Sequence, residues 1–110
     1  LTCICRKNEV RSMTAQNITA AEWDRLTRRA RHWMGDVQPF AITRQIEGHK
    51  YLLVDVVATQ RLARSIAGDG RSEGVSVRVV PYPRKEAFAI YVWHNGSRDA
   101  LDWIKTALEP

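Results

Sequence analysis

Five residues in three separate stretches have the types and spacing to hold a partner. Tyr51 and Asp55 lie in Tyr51-Leu52-Leu53-Val54-Asp55, Arg78 in Val75-Ser76-Val77-Arg78-Val79-Val80, and Tyr91 and Trp93 in Ala87-Phe88-Ala89-Ile90-Tyr91-Val92-Trp93. Side chains alternate along a strand, so Tyr91 and Trp93 share a side with Ala87 and Ala89, and Phe88, Ile90 and Val92 share the other. A strand that is apolar on both sides either lies between two layers or offers one side to something outside the domain. Tyr and Trp rings give flat stacking surfaces and Arg holds phosphate oxygens, a combination that suits nucleic acid and also suits a protein interface. Ser76, Val80, Thr43 and Gln45 are predicted to join that side.

A second candidate is the run Arg25, Arg28, Arg29, Arg31 and His32, in which Arg25, Arg29 and His32 recur at helical spacing. Guanidinium groups match phosphate oxygens, so Arg25, Arg28 and Arg29 are candidate phosphate contacts. An ordinary solvated helix face, with cations favoured toward its C-terminus, has the same pattern.

Asp55 stands among aliphatic residues, where a carboxylate is costly unless paired, hydrogen-bonded or wet. Its readings are a partner for Arg44 or Arg78, a cation ligand, or a general base in a pocket with Tyr91, Trp93 and His94. His32, His49 and His94 show no metal-ligand spacing among themselves. Cys3 and Cys5 form a Cys-x-Cys pair with no further Cys or Cys-His pair to complete a zinc set, and are expected to be thiols in a reducing compartment. No cofactor is expected. Gly68-Asp69-Gly70 follows a helix and precedes a strand, the reverse of the order in a phosphate loop, and Gly68–Gly74 is predicted to be a flexible connector. Tyr82-Pro83-Arg84-Lys85 is predicted to be an exposed hairpin tip.

These residues need elements to carry them. Thr19-Ala20-Ala21-Glu22 is a capping box, and a helix should run from there to about Met34, stopping at Gly35 with Trp23, Leu26, Ala30, Trp33 and Met34 inward. Val37–Ile46 has a strand pattern, with Pro39 near its beginning, and Glu47-Gly48-His49-Lys50 should turn it back into Tyr51–Val57. In the returning arm Leu52, Val54 and Val56 are predicted inward and Tyr51, Leu53, Asp55 and Val57 outward. Thr59 can cap a second helix with Leu62, Ala63, Ile66 and Ala67 buried and Gly68 as its stop. The Val75–Trp93 hairpin follows, and Ser97 caps a last helix lined by Leu101, Ile104 and Leu108. Residues 1–18 are expected to form an edge strand or an irregular arm, and an N-terminal segment folded over the aromatic face would bury it.

The expected architecture is a single α+β domain over residues 1–110 in α-ββ-α-ββ-α order. Two hairpins join into a four-stranded, mostly antiparallel sheet, and three helices pack on one face. Sliding Arg25–Val57 by 36 positions onto Arg61–Trp93 matches Arg25, Leu26, Arg28 and Val56 with Arg61, Leu62, Arg64 and Val92, as a duplicated helix-hairpin unit would. In element order the chain resembles the LAGLIDADG homing endonucleases, whose open sheet lies on DNA. Their signature helix, ending in acidic metal-binding residues, is absent from Thr19–Gly35, and Ala67-Gly68-Asp69-Gly70 sits at the wrong end of the second helix. The resemblance therefore implies an element order and no nuclease activity.

Composition sets the outer limits. A chain of 110 residues with 45% hydrophobic content and four Trp can bury a core without staples. No apolar run approaches the roughly 20 residues that span a bilayer. Seventeen basic residues against twelve acidic ones leave a net charge of +5, which favours anionic partners. Leu1–Met13 lacks the apolar core of a signal peptide, and cytoplasmic residence is expected. The leading expectation is a small basic binding module without catalytic activity that holds nucleic acid or another anionic partner through Tyr51, Asp55, Arg78, Tyr91 and Trp93, helped by the Arg-rich helix. The alternatives are a homodimer or protein-interaction module using the same face, and a small-molecule-binding protein or enzyme built around Asp55 and His94.

Overall fold

The computed structural model describes residues 18–34, 40–82 and 86–109. The readings placed on Cys3 and Cys5, the residue 1–17 arm, Gly35, Val37–Pro39 and the Pro83–Lys85 tip fall outside those residues.

Helix α1, Ala20–Met34, starts at its predicted box: Thr19 N donates to Glu22 Oε1 at 3.3 Å, and Glu22 N donates to Thr19 Oγ1 at 3.2 Å. A box of this kind satisfies two amides that would otherwise be orphaned, a stabilisation of about 1 kcal/mol. Its buried stripe is Trp23, Leu26, Thr27 and Ala30; Thr27 lies inside because its hydroxyl donates to Trp23 O at 2.9 Å. Trp33, expected inward, is 48% exposed and packs edge-on against its neighbour His32.

Strand β1, Thr43–Ile46, is much shorter than the predicted arm, and β2, His49–Val57, begins two residues earlier than expected. The early start of β2 follows from a two-residue turn in which Glu47 and Gly48 both take positive φ, +51° and +81°, the geometry that lets strands pair directly across the bend. Ile46 then faces His49, and Arg44 faces Tyr51. Thr43 and Gln45 therefore point to the helical side. Arg44 and Ile46 share Tyr51's side, the opposite of what the longer arm implied.

Helix α2, Gln60–Ser72, is capped by Thr59 Oγ1, which accepts from Leu62 N at 3.1 Å. It does not stop at Gly68. It continues through Gly68, Asp69 and Gly70, so most of the predicted connector is helix. Packing overrides the local signal: Trp103 Nε1 donates to Asp69 Oδ2 at 2.8 Å, and Gly70 lies against Val77 and Trp103 where a larger residue would crowd them. Leu62 is exposed rather than inward, and Ala63, Ala67 and Gly70 form the buried side.

Strands β3, Ser76–Tyr82, and β4, Ala87–Trp93, form the second hairpin. Asn95 and Gly96 turn the chain at positive φ, and Ser97 Oγ accepts from Ala100 N to open α3, Arg98–Ala107. All strand pairs are antiparallel, in the order β1-β2-β4-β3. The second strands of the two hairpins thus meet in the middle, one of the two orders that a pair of helix-hairpin units related by a two-fold allows. The register begun by Leu52–Val92 and Leu53–Tyr91 would continue to Val54 opposite Ile90. The register slips there instead, and Asp55 pairs with Ile90. The bulge carries Val57 to the helical side and Val56 to the other, reversing the alternation read from sequence.

Residues of the three described helices meet one side of the sheet in a single cluster, where Leu52, Val54, Val57, Val75, Val77, Ile90 and Val92 pack with Trp23, Leu26, Ala63, Ala67, Leu101 and Ile104. On the opposite side a second, smaller cluster buries Phe40, Tyr51, Leu53, Ala89 and Tyr91.

Candidate functional site

The second cluster determines which of the candidate aromatics remain reachable. Register places Leu53, Tyr91 and Arg78 in one row across β2, β4 and β3, with Tyr51 and Trp93 in the next. Phe40 and Ala41, just before β1, lie on this face. Tyr91 Oη donates to Ala41 O at 2.7 Å, and Phe40 meets Tyr82 edge-on. Tyr91 is 1% exposed and Tyr51 4%. Burial pushes the Tyr91 phenol up, against the smaller opposing pull of Arg44, whose guanidinium lies 5.9 Å from the ring centre. A neutral phenol is what the bond to Ala41 needs. These two rings are fixed inside the molecule. Trp93, at the end of β4, is only half-buried.

Around Trp93 a groove of about 560 Å³ opens along the free edge of β3, lined by Glu47, His49, Tyr51, Arg71, Ser76, Arg78, Trp93 and Asn95 with Val75 and Val77. His49, the first residue of β2, stacks on Trp93 with ring centres 3.8 Å apart and planes 17° from parallel. Two guanidinium groups reach the same groove. Arg71, in the last turn of α2, donates from Nη2 to Val77 O at 2.8 Å, which satisfies a carbonyl of the edge strand. That bond uses one of the five donors of the fork. Arg78 of β3 donates to Glu47 Oε1 in the β1–β2 turn at 2.6 Å, with both side chains well exposed, 45% and 71%. Its proton is held more tightly than usual by the bonds to Glu47 and Tyr51. An exposed pair of this kind contributes about 0–1 kcal/mol, so an incoming phosphate can exchange with the carboxylate.

Of the residues singled out by sequence, the structure brings Tyr51, Arg78 and Trp93 to this groove, and Tyr91 is buried and does not line it. Asp55 is elsewhere. It pairs with Ile90 and lines a cleft on the helical side with Val54, Ser65, Ile66, Asp69, Trp103 and Ala107. Its carboxylate accepts from Val56 N at 2.8 Å, at the slip in register. His94 packs edge-on against Trp23, ring centres 4.9 Å apart, and is four residues from Ile90 along the chain, so Asp55 and His94 are roughly 13 Å apart at strand spacing. Arg25 and Arg29 line a small pocket between α1 and α3; Arg28 is exposed on α1, and none of the three lines the groove.

Sequence reading missed His49, Arg71 and Asn95. The Glu47-Gly48 pair was the available signal for His49, because a two-residue turn makes His49 the first strand residue, on the same side as Tyr51. Arg71 carried no such signal, since its place depends on α2 running through two glycines. Among the described residues no group of three or more His, Cys, Asp or Glu side chains is close enough to hold a metal ion, and no helix is long and apolar enough to cross a membrane. Compared with protein-family models, curated proteins and solved structures, the chain matches none.

Proposed function

We propose that the protein is a binding module, without catalytic chemistry of its own, that holds single-stranded nucleic acid in the groove along β3. The observation that carries this reading is the convergence of a stacked His49–Trp93 pair with Arg71 and Arg78 around one solvent-open groove. A base needs a flat π surface, and a phosphate needs a planar cation with several donors. Asn95, at the groove's end, offers an amide that both donates and accepts, as a base edge requires. The net charge of +5 adds long-range attraction for a polyanion.

A homodimer through the aromatic face draws less support. Tyr51 and Tyr91, which would anchor it, are already buried within the chain. A pocket for small-molecule chemistry around Asp55 and His94 draws less still, because those two groups lie on different parts of the sheet.

The test is fluorescence anisotropy of a labelled single-stranded oligonucleotide across a salt series. The expected result is binding that weakens as salt rises, with a log–log slope of about −0.7 per phosphate neutralised. Arg78→Gln is expected to reduce that slope by about one phosphate's share. No binding at low salt overturns the proposal.

A further inference from the structure

The Arg-rich face of α1 has no part in the groove, yet it has a partner in α3. Arg25 and Arg29, one turn apart, line a pocket of about 190 Å³ with Lys105 of α3, over Leu26 and beside Glu22. We infer that this pocket is a second anion site, built for the oxyanion of a phosphoryl group.

The charges support this. Among the described residues Glu22 is the one carboxylate lining the pocket, and it is turned to another task. Both of its oxygens meet the Arg98 guanidinium in a two-point pair, the Oε1–Nη2 contact at 3.2 Å, and Oε1 also accepts from Thr19 N. Those bonds, with the nearby Arg98 and Lys105 charges, hold its carboxyl down at about 2, so it stays ionised and engaged. Asp102 acts on Arg98 as well. Glu109 approaches Arg29 at 3.7 Å, a loose and exposed pair. Arg25 and Lys105 make no ion pair among the described residues. Two cations on one helix and one on another converge on a concave spot, and the nearby carboxylates, Glu22 shared with Arg98 and Glu109 at 3.7 Å from Arg29, offset them only in part, leaving a positive potential that a doubly charged oxyanion relieves. An arginine fork and a lysine point charge are complementary ways of meeting phosphoryl oxygens. Leu26, 6% exposed, closes the bottom and keeps water from one side.

The phosphoryl group has two sources, a small phosphate compound or the backbone of a strand, and two arms of one experiment separate them. In the first, isotope-labelled protein is titrated with inorganic phosphate and then pyrophosphate at constant ionic strength, following the Arg25 and Arg29 Nε–H signals and the amides around Lys105. Saturable shifts at these positions are expected. They should be weakened about tenfold in Lys105→Gln and in Arg25→Gln, as loss of one charge-assisted contact implies, and unchanged in Arg78→Gln. Shifts that stay linear to high concentration, or that are the same in Lys105→Gln, overturn the inference. Both changes are at exposed or half-exposed positions, and circular dichroism confirms that the variants fold.

In the second arm the salt dependence of oligonucleotide binding is compared between the natural chain and Arg25→Gln/Lys105→Gln. A slope smaller by about 1–2 phosphates' share assigns the site to a strand that passes both surfaces. An unchanged slope beside intact phosphate saturation assigns it to a small phosphate compound. Saturation in the first arm stands on its own if the groove binds no oligonucleotide, so failure of the groove reading and failure of this one are told apart.

Discussion

His49 lies flat on Trp93, ring centres 3.8 Å apart, at the point where the first residue of β2 comes beside the last residue of β4. The pairing depends on the tight Glu47-Gly48 turn, because a longer loop would start β2 later and leave His49 in the bend. It places a π surface at the rim of the groove, while Tyr51 and Tyr91 stay within the molecule.

Trp93→Ala is accordingly expected to weaken single-strand binding by about 1–3 kcal/mol, the range for loss of one stacked base. Tyr91→Phe makes the contrasting case. It removes only the hydroxyl that donates to Ala41 O, so it should cost about 1 kcal/mol of stability and leave affinity unchanged. Anisotropy titrations and urea unfolding of both variants check the pair. Equal loss of affinity in the two would show that the buried cluster as a whole, rather than the Trp93 ring, governs binding.

Much of the architecture was legible because each element begins with a chemical signal: the Thr19–Glu22 box, the Thr59 and Ser97 caps, and the period-two pattern of Val75–Val79. The faces of β2 were not legible beyond Leu53. A bulge leaves no residue pattern of its own, and one extra residue sends every later side chain to the other side. Gly68 and Gly70 misled in the opposite direction, since a glycine that stops a helix and a glycine that lets a helix pack closely look alike in a sequence. The candidate groove was legible as residue types and only partly as a place: Arg78 and Trp93, singled out in the sequence, line it, while Arg71 needed the full length of α2 and His49 the exact turn.

Those two glycines can be told apart by adding one methyl group to each. At Gly68 a Cβ meets nothing within 4 Å, so Gly68→Ala should gain roughly 0.5–1 kcal/mol from helix propensity. At Gly70 the same atom lands 3.0 Å from Val77 Cγ2 and 3.1 Å from Trp103 Cη2. Neither neighbour yields easily, because Val77 is 4% exposed in the core and the Trp103 indole is tied to Asp69. Overpacking of this kind costs typically about 1–3 kcal/mol, which outweighs the propensity gain. Thermal melting of both variants should therefore move in opposite directions. A Gly70→Ala protein as stable as Gly68→Ala would mean that α2 and α3 are not packed against each other as described.

Asp55 is expected to act on folding rather than on binding. Its carboxylate accepts from Val56 N where the ladder between β2 and β4 slips, so it satisfies a backbone donor at the irregular point of the sheet. Asp55→Ala should cost about 1 kcal/mol, the usual value for one such bond, and leave oligonucleotide affinity as it was. Asp55→Asn keeps an acceptor oxygen at the same position and should recover most of the loss. A variant that folds as well as the natural chain but no longer binds would move Asp55 back into the site.

His94 links stability to pH. Burial, and next the neighbouring His49, push its pKa below the ordinary 6.5, and the nearby Glu22 carboxylate opposes them only in part. The geometry agrees: Nδ1 accepts from Gly96 N at 2.9 Å, a bond open only to the neutral ring with its proton on Nε2, and the ring meets Trp23 edge-on. A histidine whose folded pKa is lowered leaves the unfolded chain as the better proton binder, so stability is full above 6.5 and declines as pH falls from there through the folded value. His94→Asn keeps an acceptor for Gly96 and cannot titrate, so its melting temperature should fall less between pH 7.5 and pH 5 than that of the natural chain. A further loss belongs to Glu22, whose carboxyl is held at about 2 against an ordinary 4.5, and it should appear only between those values, in His94→Asn as in the natural chain. If the natural chain and His94→Asn lose stability in parallel from pH 7.5 down to 5, the imidazole does not titrate with folding, and the Gly96 turn does not depend on its charge.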